Sequence, residues 1–549
     1  MRNKWLNKSC YFDIFVLLFA VVFSSWLMFG TFNYENGVML IGSKAWSDFG
    51  AHIPLIRSFS LGNNLPAEYP FFPGEPIKYH FLFYYLVALL EKVGFNIAWA
   101  MNIVSIFGFS LLLWMIYKIA KLIFGNKKAG LLAILLFLFN GTLSFLELFK
   151  DKTTLSWDLI ETVYKSKKFL SFGPWDKKIV SAFWNLNIYT NQRHLTLSFA
   201  LILLVLYPVF VFLFKEKNIL NKWWFIFLCL SLAFFPILHQ AGYAILIIFL
   251  LLSFFFFPTL LKQIGKVYIF AIFLSLPVFF SVDNTAAVRL HFAYLAEERN
   301  ISSAITYWFY NLGFYSVLLP VIFLMSDTKK RKLLFIFCSF FLLANVFWLS
   351  TDLINNHKLI NFFMIGMNIY TAGFLVNLFK KSLIYKLLVP FLLLLLTLSG
   401  IIDFFPIKND PYFRISDYKK LHISQWIMKN TAKDSVFLMN TYLYNPASIA
   451  GRKIFLDYGY FAWSLGYQDR ARRKQLPLLF SANASKRTVC YDLYKNDIDY
   501  VILSPQKGDL EGIDPKTSVI YTKFLPVFKS KENYSIWDVK QMCSNYFGP

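Results

Sequence analysis

For roughly its first four hundred residues the chain alternates long apolar runs with short basic breaks, and then its texture changes. A helix crossing a hydrocarbon core of roughly 30 Å needs about 20 predominantly apolar residues. Eleven runs come near that length: 12–30, 98–124, 129–148, 194–214, 223–239, 241–260, 267–282, 304–325, 333–351, 358–379 and 387–405. They predict a polytopic α-helical membrane domain over 1–405. The first run follows Met1-Arg2-Asn3-Lys4 and is not succeeded by a small-residue cleavage site, so it reads as an uncleaved signal anchor. The stretch His80–Gly94 is apolar but brief, and its Tyr and Phe side chains suit a helix lying at the membrane interface. Past Pro406 charged residues become frequent. Helical spacing over Tyr418–Asn430 and apolar runs at Ser435–Met439, Lys453–Leu456 and Asp499–Leu503 predict an α/β domain over 406–549, large enough for its own core.

The breaks between runs orient the spans. With Arg2, Lys4 and Lys8 inside, eleven crossings place Asn126-Lys127-Lys128, Lys215–Lys222, Lys262–Lys266, Asp327–Lys332 and Lys380–Lys386 in the cytoplasm, and every one is basic. The opposite side receives the loops 31–97, 149–193 and 283–303 and the C-terminal domain. Counting His80–Gly94 as a span would invert every later loop and break the charge rule. The expected location is a multi-pass plasma (inner) membrane of a bacterium, with the C-terminal domain extracytoplasmic.

Composition agrees: 57% of residues are hydrophobic, 20% aromatic and only 16% charged, with a mean hydropathy of +0.51. The formal net charge of +24 lies mostly in the short breaks, which speaks for a membrane partner and not for nucleic acid. The five cysteines show no CxxC or Cys/His spacing, so they suggest no zinc site; Cys490 and Cys543, both in the C-terminal domain, are as compatible with two thiols as with a disulfide. The absence of a Walker-type loop and of GxGxxG after a strand argues against an ATP-driven pump and against a nucleotide-sugar enzyme.

Chemistry concentrates in the first outer loop, which carries Trp46-Ser47-Asp48-Phe49-Gly50-Ala51-His52, Arg57, Pro73-Gly74-Glu75-Pro76 and Lys78-Tyr79-His80. Asp48 and His52, four positions apart, share one helix face and can meet at a common substrate or ion. Asp48 would equally serve to charge the start of a helix, with His52 a solvated interface residue. One N-terminal helix, an outer loop opening on an acid, a Pro/Gly-bearing stretch, a Tyr/Lys element before an interface helix, and a helix ending Leu-Ile-Phe-Gly-Asn-Lys-Lys together resemble the GT-C superfamily of integral membrane glycosyltransferases. The likeness is to the protein mannosyltransferase and aminoarabinose transferase type, over roughly residues 10–400. That family often shows Tyr-Lys-Pro-Pro where this chain has Lys78-Tyr79-His80. The tail, with Ala450-Gly451-Arg452-Lys453 and Gly459–Gly466, looks like the outer domain of uncharacterised bacterial members.

The resemblance implies a transferase moving a sugar from a polyprenyl-phosphate-linked donor to a lipid, glycan or protein acceptor at the outer face, with Asp48, assisted by His52, as the general base. Such a site needs a carboxylate for the acceptor proton and cations for the leaving phosphate. Lys78 and His80 stand where the family has its basic element, and Arg193-His194 and His357-Lys358 stand at outer helix mouths, where snorkelling anchors are the alternative. Arg289 and His291 are weaker phosphate candidates, and His239-Gln240 reads as an interhelical hydrogen-bonding pair. Relatives divide between metal-dependent and metal-free types; Glu297, Glu298, Asp158 and Glu161 could join Asp48 around Mg²⁺ or Mn²⁺, so the cofactor stays open. A glycolipid transporter or flippase, or a surface-polysaccharide polymerase or ligase, are the competing readings. A transporter would need an acid in mid-helix.

Overall fold

The computed structural model describes residues 8–150, 156–171, 179–281, 288–440, 443–481, 483–504 and 519–546. It is mostly helical. Among the described residues six helices are long and apolar enough to cross a membrane: Tyr11–Thr31, Ile97–Phe124, His194–Lys215, Pro258–Ser281, Leu353–Phe379 and Leu383–Lys408. A seventh is counted if Ile301–Leu312 and Tyr315–Met325 form one broken span, bent by 93°. The bend falls at Gly313, whose φ of +54° is open to glycine at little cost.

The other four expected spans are also helical but fall short of that test. Lys222–Leu238 and Gln240–Phe256 have 17 residues each. Thr328–Val346 has 19, but its first turns carry Lys329, Lys330, Arg331 and Lys332. The expected 129–148 run is helical only over Lys127–Leu138. Beyond it Gly141 lies so close to the backbone of Leu396 that a Cβ there would come within 2.5 Å of the Leu396 carbonyl oxygen, and a 3₁₀ turn follows at Ser144–Phe149.

The chain forms two compact units. The helical one comprises Met1–Thr31, Asn102–Ser281 and Ala286–Pro411; the other comprises Phe32–Met101 with Tyr412–Pro549. The expected boundary at 405–406 is therefore shifted by a few residues, and the first loop groups with the C-terminal segment. The reason is strand pairing. Asn36 and Gly37, both at positive φ, close a two-residue hairpin between Phe32–Glu35 and Val38–Gly42. Val38–Gly42 then pairs antiparallel with Tyr412–Ser416, immediately after the last long helix.

In the same unit Trp46–Ser60 and Leu82–Lys92 form the two short helices of the first loop, the second within the expected His80–Gly94 stretch. The C-terminal segment carries a five-stranded sheet in the spatial order Lys453–Ile454, Val436–Met439, Tyr500–Leu503, Ser535–Asp538, Phe528–Lys529. The first three are mutually parallel and the last two antiparallel to their neighbours. All three strands expected from the apolar runs are present. Cys490 and Cys543 are joined by a disulfide with a Cα–Cα distance of 5.6 Å, which settles the alternative left open by the sequence.

Candidate functional site

Asp48 lies in the first turn of the Trp46–Ser60 helix, where a negative charge is favoured by the helix dipole, and it is half-buried. Three phenols, Tyr79, Tyr84 and Tyr444, lie within reach of its charge. Burial, and then the Asp48 carboxylate, hold Tyr79 above the ordinary tyrosine range; burial does the same to Tyr84 and Tyr444, again with Asp48 adding to it. All three are therefore hydroxyl donors at any physiological pH. His52, one turn on, sits 4.9 Å ring to ring from Tyr84. His80 is 3.6 Å from Tyr79 and 6.4 Å from Tyr84, nearly parallel to the latter. Both histidines are buried. The shared face expected for Asp48 and His52 is thus continued by Tyr79, His80 and Tyr84, whose spacing of one and four places them at the start of the Leu82–Lys92 helix.

Lys78 is engaged locally. Its Nζ is 2.9 Å from Glu75 Oε2 and 5.0 Å from the centre of the Tyr467 ring, and its backbone N–H donates to the Tyr467 hydroxyl. Tyr444 enters from the C-terminal segment. Its hydroxyl donates to the Trp46 carbonyl, and its ring lies 5.7 Å from that of Trp46. Leu443 and Tyr444 both take left-handed backbone conformations (φ +53° each), which non-glycine residues adopt only when surroundings hold them. The holder is Asp457, which accepts from the Leu443 N–H (2.9 Å), the Tyr458 N–H (2.7 Å) and Asn445 Nδ2 (2.9 Å). No sequence pattern signals this partnership.

The helical unit holds a second group. His194 begins the His194–Lys215 helix, and His357 and Lys358 begin His357–Phe379. Between the two shorter apolar helices stands His239, whose ring is 5.2 Å from that of His194 and whose Nδ1 is 2.7 Å from Ser198 Oγ and receives the Gly242 N–H at 3.1 Å. The charges of Lys358 and His357 act on the His239 ring. His357 Nδ1 is 3.1 Å from Asn361 Nδ2, and its ring is 5.1 Å from Phe183. The hydrogen bonds expected of the His239-Gln240 pair are made by His239, which also has His194, His357 and Lys358 near it.

Arg193 differs from its neighbours. It is fully buried, and its guanidinium donates to the Thr190 carbonyl (3.2 Å), to Asn102, to the Met28 carbonyl (3.0 Å) and to Thr31 Oγ1 (3.0 Å). Those bonds tie the end of the first helix and the start of the second span to the head of the third. Among the weaker candidates, His291 is buried with Nε2 2.8 Å from the Tyr294 carbonyl, and Arg289 sits in a two-residue strand paired with Phe347–Trp348. Asp158, Glu161, Glu297 and Glu298 are exposed; Glu161 pairs with Lys165, and Glu298 accepts from Asn300 at 2.5 Å. Two acids lie within the long apolar helices: Asp13, near the start of the first, pairs with Lys118 and Lys121, and Asp403, in the last turns of Leu383–Lys408, accepts from Asn185 Nδ2 at 3.1 Å.

No family model matches the chain, and no curated protein matches it in sequence. Solved structures do match in three dimensions. ArnT from Cupriavidus metallidurans in the apo state aligns over 99% of this chain and 100% of its own, with a TM-score of 0.50 and 10% identity. The chain has the fold of that structure. Two further structures match at lower TM-scores: ArnT from Cupriavidus metallidurans bound to undecaprenyl phosphate (TM-score 0.46, 9% identity, 99% of each chain), and the archaeal oligosaccharyltransferase AglB from Archaeoglobus fulgidus. The latter, solved with an inhibitory peptide and a dolichol-phosphate, has a TM-score of 0.43 at 12% identity over 90% of this chain and 70% of its own. The fold expected from the first loop and its flanking helices agrees with the likeness to ArnT.

Proposed function

We propose that the chain is a membrane glycosyltransferase that moves a sugar from a polyprenyl-phosphate-linked donor to an acceptor at the outer face of the membrane. The observation that carries this reading is the setting of Asp48: an acid in the first turn of the first-loop helix, with the phenols of Tyr79, Tyr84 and Tyr444 within reach of its charge and His52 one turn on. In this reading the Asp48 carboxylate takes the acceptor's O–H or N–H proton. The freed lone pair attacks the anomeric carbon, the bond from that carbon to the phosphate oxygen breaks, and polyprenyl phosphate departs with the electron pair. Tyr79 and Tyr84 hold the acid and substrate hydroxyls in register, and His52 and His80 pack those rings in place.

His194, His357 and Lys358, with His239 added to them, hold the donor phosphate. Lys78 orders the loop before the interface helix through Glu75 and Tyr467, and Arg193 ties helices together. The eleven-span topology, with the first loop and the C-terminal domain outside, gains support from the Cys490–Cys543 disulfide, since such bonds persist in oxidising compartments. A reporter active only in the cytoplasm, fused after Pro549, should be silent; strong activity would reverse the orientation.

The decisive test uses reconstituted full-length protein with undecaprenyl-phosphate-linked sugars. Asp48→Asn keeps shape and removes the base, so transfer should fall by about 10²–10⁴ while donor binding stays within about twofold. Lys358→Ala should weaken donor binding. Near-normal transfer by Asp48→Asn would reject the base assignment.

A further inference from the structure

The segment Asp457–Tyr467 is anchored at both ends to the surroundings of Asp48, and between the anchors it displays aromatic rings. At one end Asp457 fixes the turn that sets Tyr444 against Trp46. At the other, the Tyr467 ring stacks on Tyr69 at 5.1 Å and 9°, its hydroxyl donates to the Pro76 carbonyl at 2.9 Å, and it lies beneath Lys78. The short helix between them, Gly459–Ser464, is preceded by Tyr458 and contains Tyr460 and Trp463. These three side chains are 36%, 39% and 43% exposed. They nevertheless pack on one another: Tyr458 and Tyr460 are 6.0 Å apart and Tyr460 and Trp463 5.9 Å, with interplanar angles of 42° in each case. Three large rings held in mutual contact while open to solvent form an apolar patch of the kind that marks a binding surface.

The neighbouring charges narrow the ligand. The following helix, Arg470–Leu479, opens with Arg470, Arg472, Arg473 and Lys474. Arg472 is committed, stacked 3.8 Å over Phe72 and donating to the Phe455 and Pro73 carbonyls. Arg473 rests against Gly459 and pairs with Asp469. Arg470 and Lys474 are exposed. Sugar rings present flat faces of slightly positive C–H groups, which the negative faces of aromatic rings attract, and guanidinium and ammonium groups hold carboxylates or phosphates.

We propose that Tyr458, Tyr460 and Trp463, with Arg470 and Lys474, form a platform that binds an acidic oligosaccharide, and that this is the acceptor's docking site. The second half rests on the glycosyl-transfer reading above; the first does not, and its test needs no turnover. Full-length protein in nanodiscs is titrated with end-labelled tetragalacturonate and, as the neutral comparison, end-labelled maltotetraose. Saturable binding of the acidic chain is expected, weakened about tenfold by Trp463→Ala and by Tyr460→Ala, and largely restored in Trp463→Phe, which keeps a ring face. Arg470→Ala with Lys474→Ala should lower affinity for tetragalacturonate and leave that for maltotetraose unchanged. Asp48→Asn should bind like the unaltered protein even if it transfers nothing, which separates failure of the platform from failure of the catalytic reading.

Absence of saturable binding, or equal binding by Trp463→Ala, overturns the platform. So does an interfacial anchor: if the fluorescence lost in Trp463→Phe is quenched by lipids with brominated acyl chains, these rings lie in the membrane and not against a glycan.

Discussion

Around Asp48 the polar groups are phenols and imidazoles on two short helices and one loop, and the acid itself stays half-exposed. In the helical unit the imidazoles of His194, His239 and His357 and the guanidinium of Arg193 show no exposure at all, at the heads and breaks of long apolar helices. The first arrangement leaves a carboxylate able to meet a substrate from solution. The second desolvates a guanidinium and three imidazoles, which is costly unless they are satisfied by protein groups or by a ligand. Arg193 takes the first solution, with its donors spent on four protein acceptors. Neighbouring basic residues in sequence thus have different surroundings, and under the proposed function they would divide between structure and binding.

The largest effect that would break this division is at Arg193. If it is a tie and not a phosphate ligand, Arg193→Ala should cost about 3–5 kcal/mol through lost hydrogen bonds and the cavity left behind. The thermal midpoint in detergent should drop sharply, and whatever folded protein remains should bind donor as before. An Arg193→Ala protein that melts normally but loses donor affinity would return Arg193 to the phosphate site.

Much of this was readable before any coordinates. Apolar run length marked the long helices of the helical unit, the short helix beginning at Leu82, and three strands of the sheet, because run length and alternation report burial directly; the short helices Trp157–Lys165, Ser181–Trp184 and Asn187–Asn191 gave no such signal. It overran at Gly141 and Gly313, where close backbone approach or a positive φ ends a helix inside apolar sequence. Asp48 and His52 stood out by their spacing of four. Tyr444 could not, since its bond to Trp46 spans 398 residues of chain, and Asp457 could not, since nothing in the sequence marks the turn at Leu443, 14 residues before it, as needing an acceptor. His239 was visible as a residue but not as a neighbour of His194, since nothing in two separate helices states which turns face each other.

A second test acts on the loop that carries Tyr444. Burial raises the Asp457 carboxyl to about 7, its hydrogen bonds notwithstanding. A carboxyl raised in the folded chain is more stable there when protonated, so its contribution is complete below the unfolded value near 4 and is lost as pH climbs through 7. The span corresponds to about 4 kcal/mol. The protein should therefore melt higher at pH 5 than at pH 8 by more than Asp457→Asn does, because the variant keeps an acceptor for the two N–H donors but cannot ionise. Equal pH dependence in the two proteins would mean that Asp457 is not the titrating group.

The smallest effect probes how closely that loop is pressed against the helix bearing Asp48. A Cβ added at Gly50 would come 2.7 Å from Leu443 Cδ2, well inside van der Waals contact. Leu443 is poorly placed to retreat, since its left-handed backbone is pinned by Asp457. Gly50→Ala gains helix propensity but should still destabilise by about 1–3 kcal/mol from overpacking. It should also slow transfer, because the strain falls on the turn that fixes the Trp46 carbonyl two residues before Asp48. Leu443→Ala opens the space that the new methyl needs, so the double variant should be more stable than the sum of the single changes allows, by about 0.5–3 kcal/mol. Strict additivity in thermal or denaturant melts would show that Gly50 and Leu443 do not press on each other. The C-terminal segment would then be covering Asp48's helix without holding it.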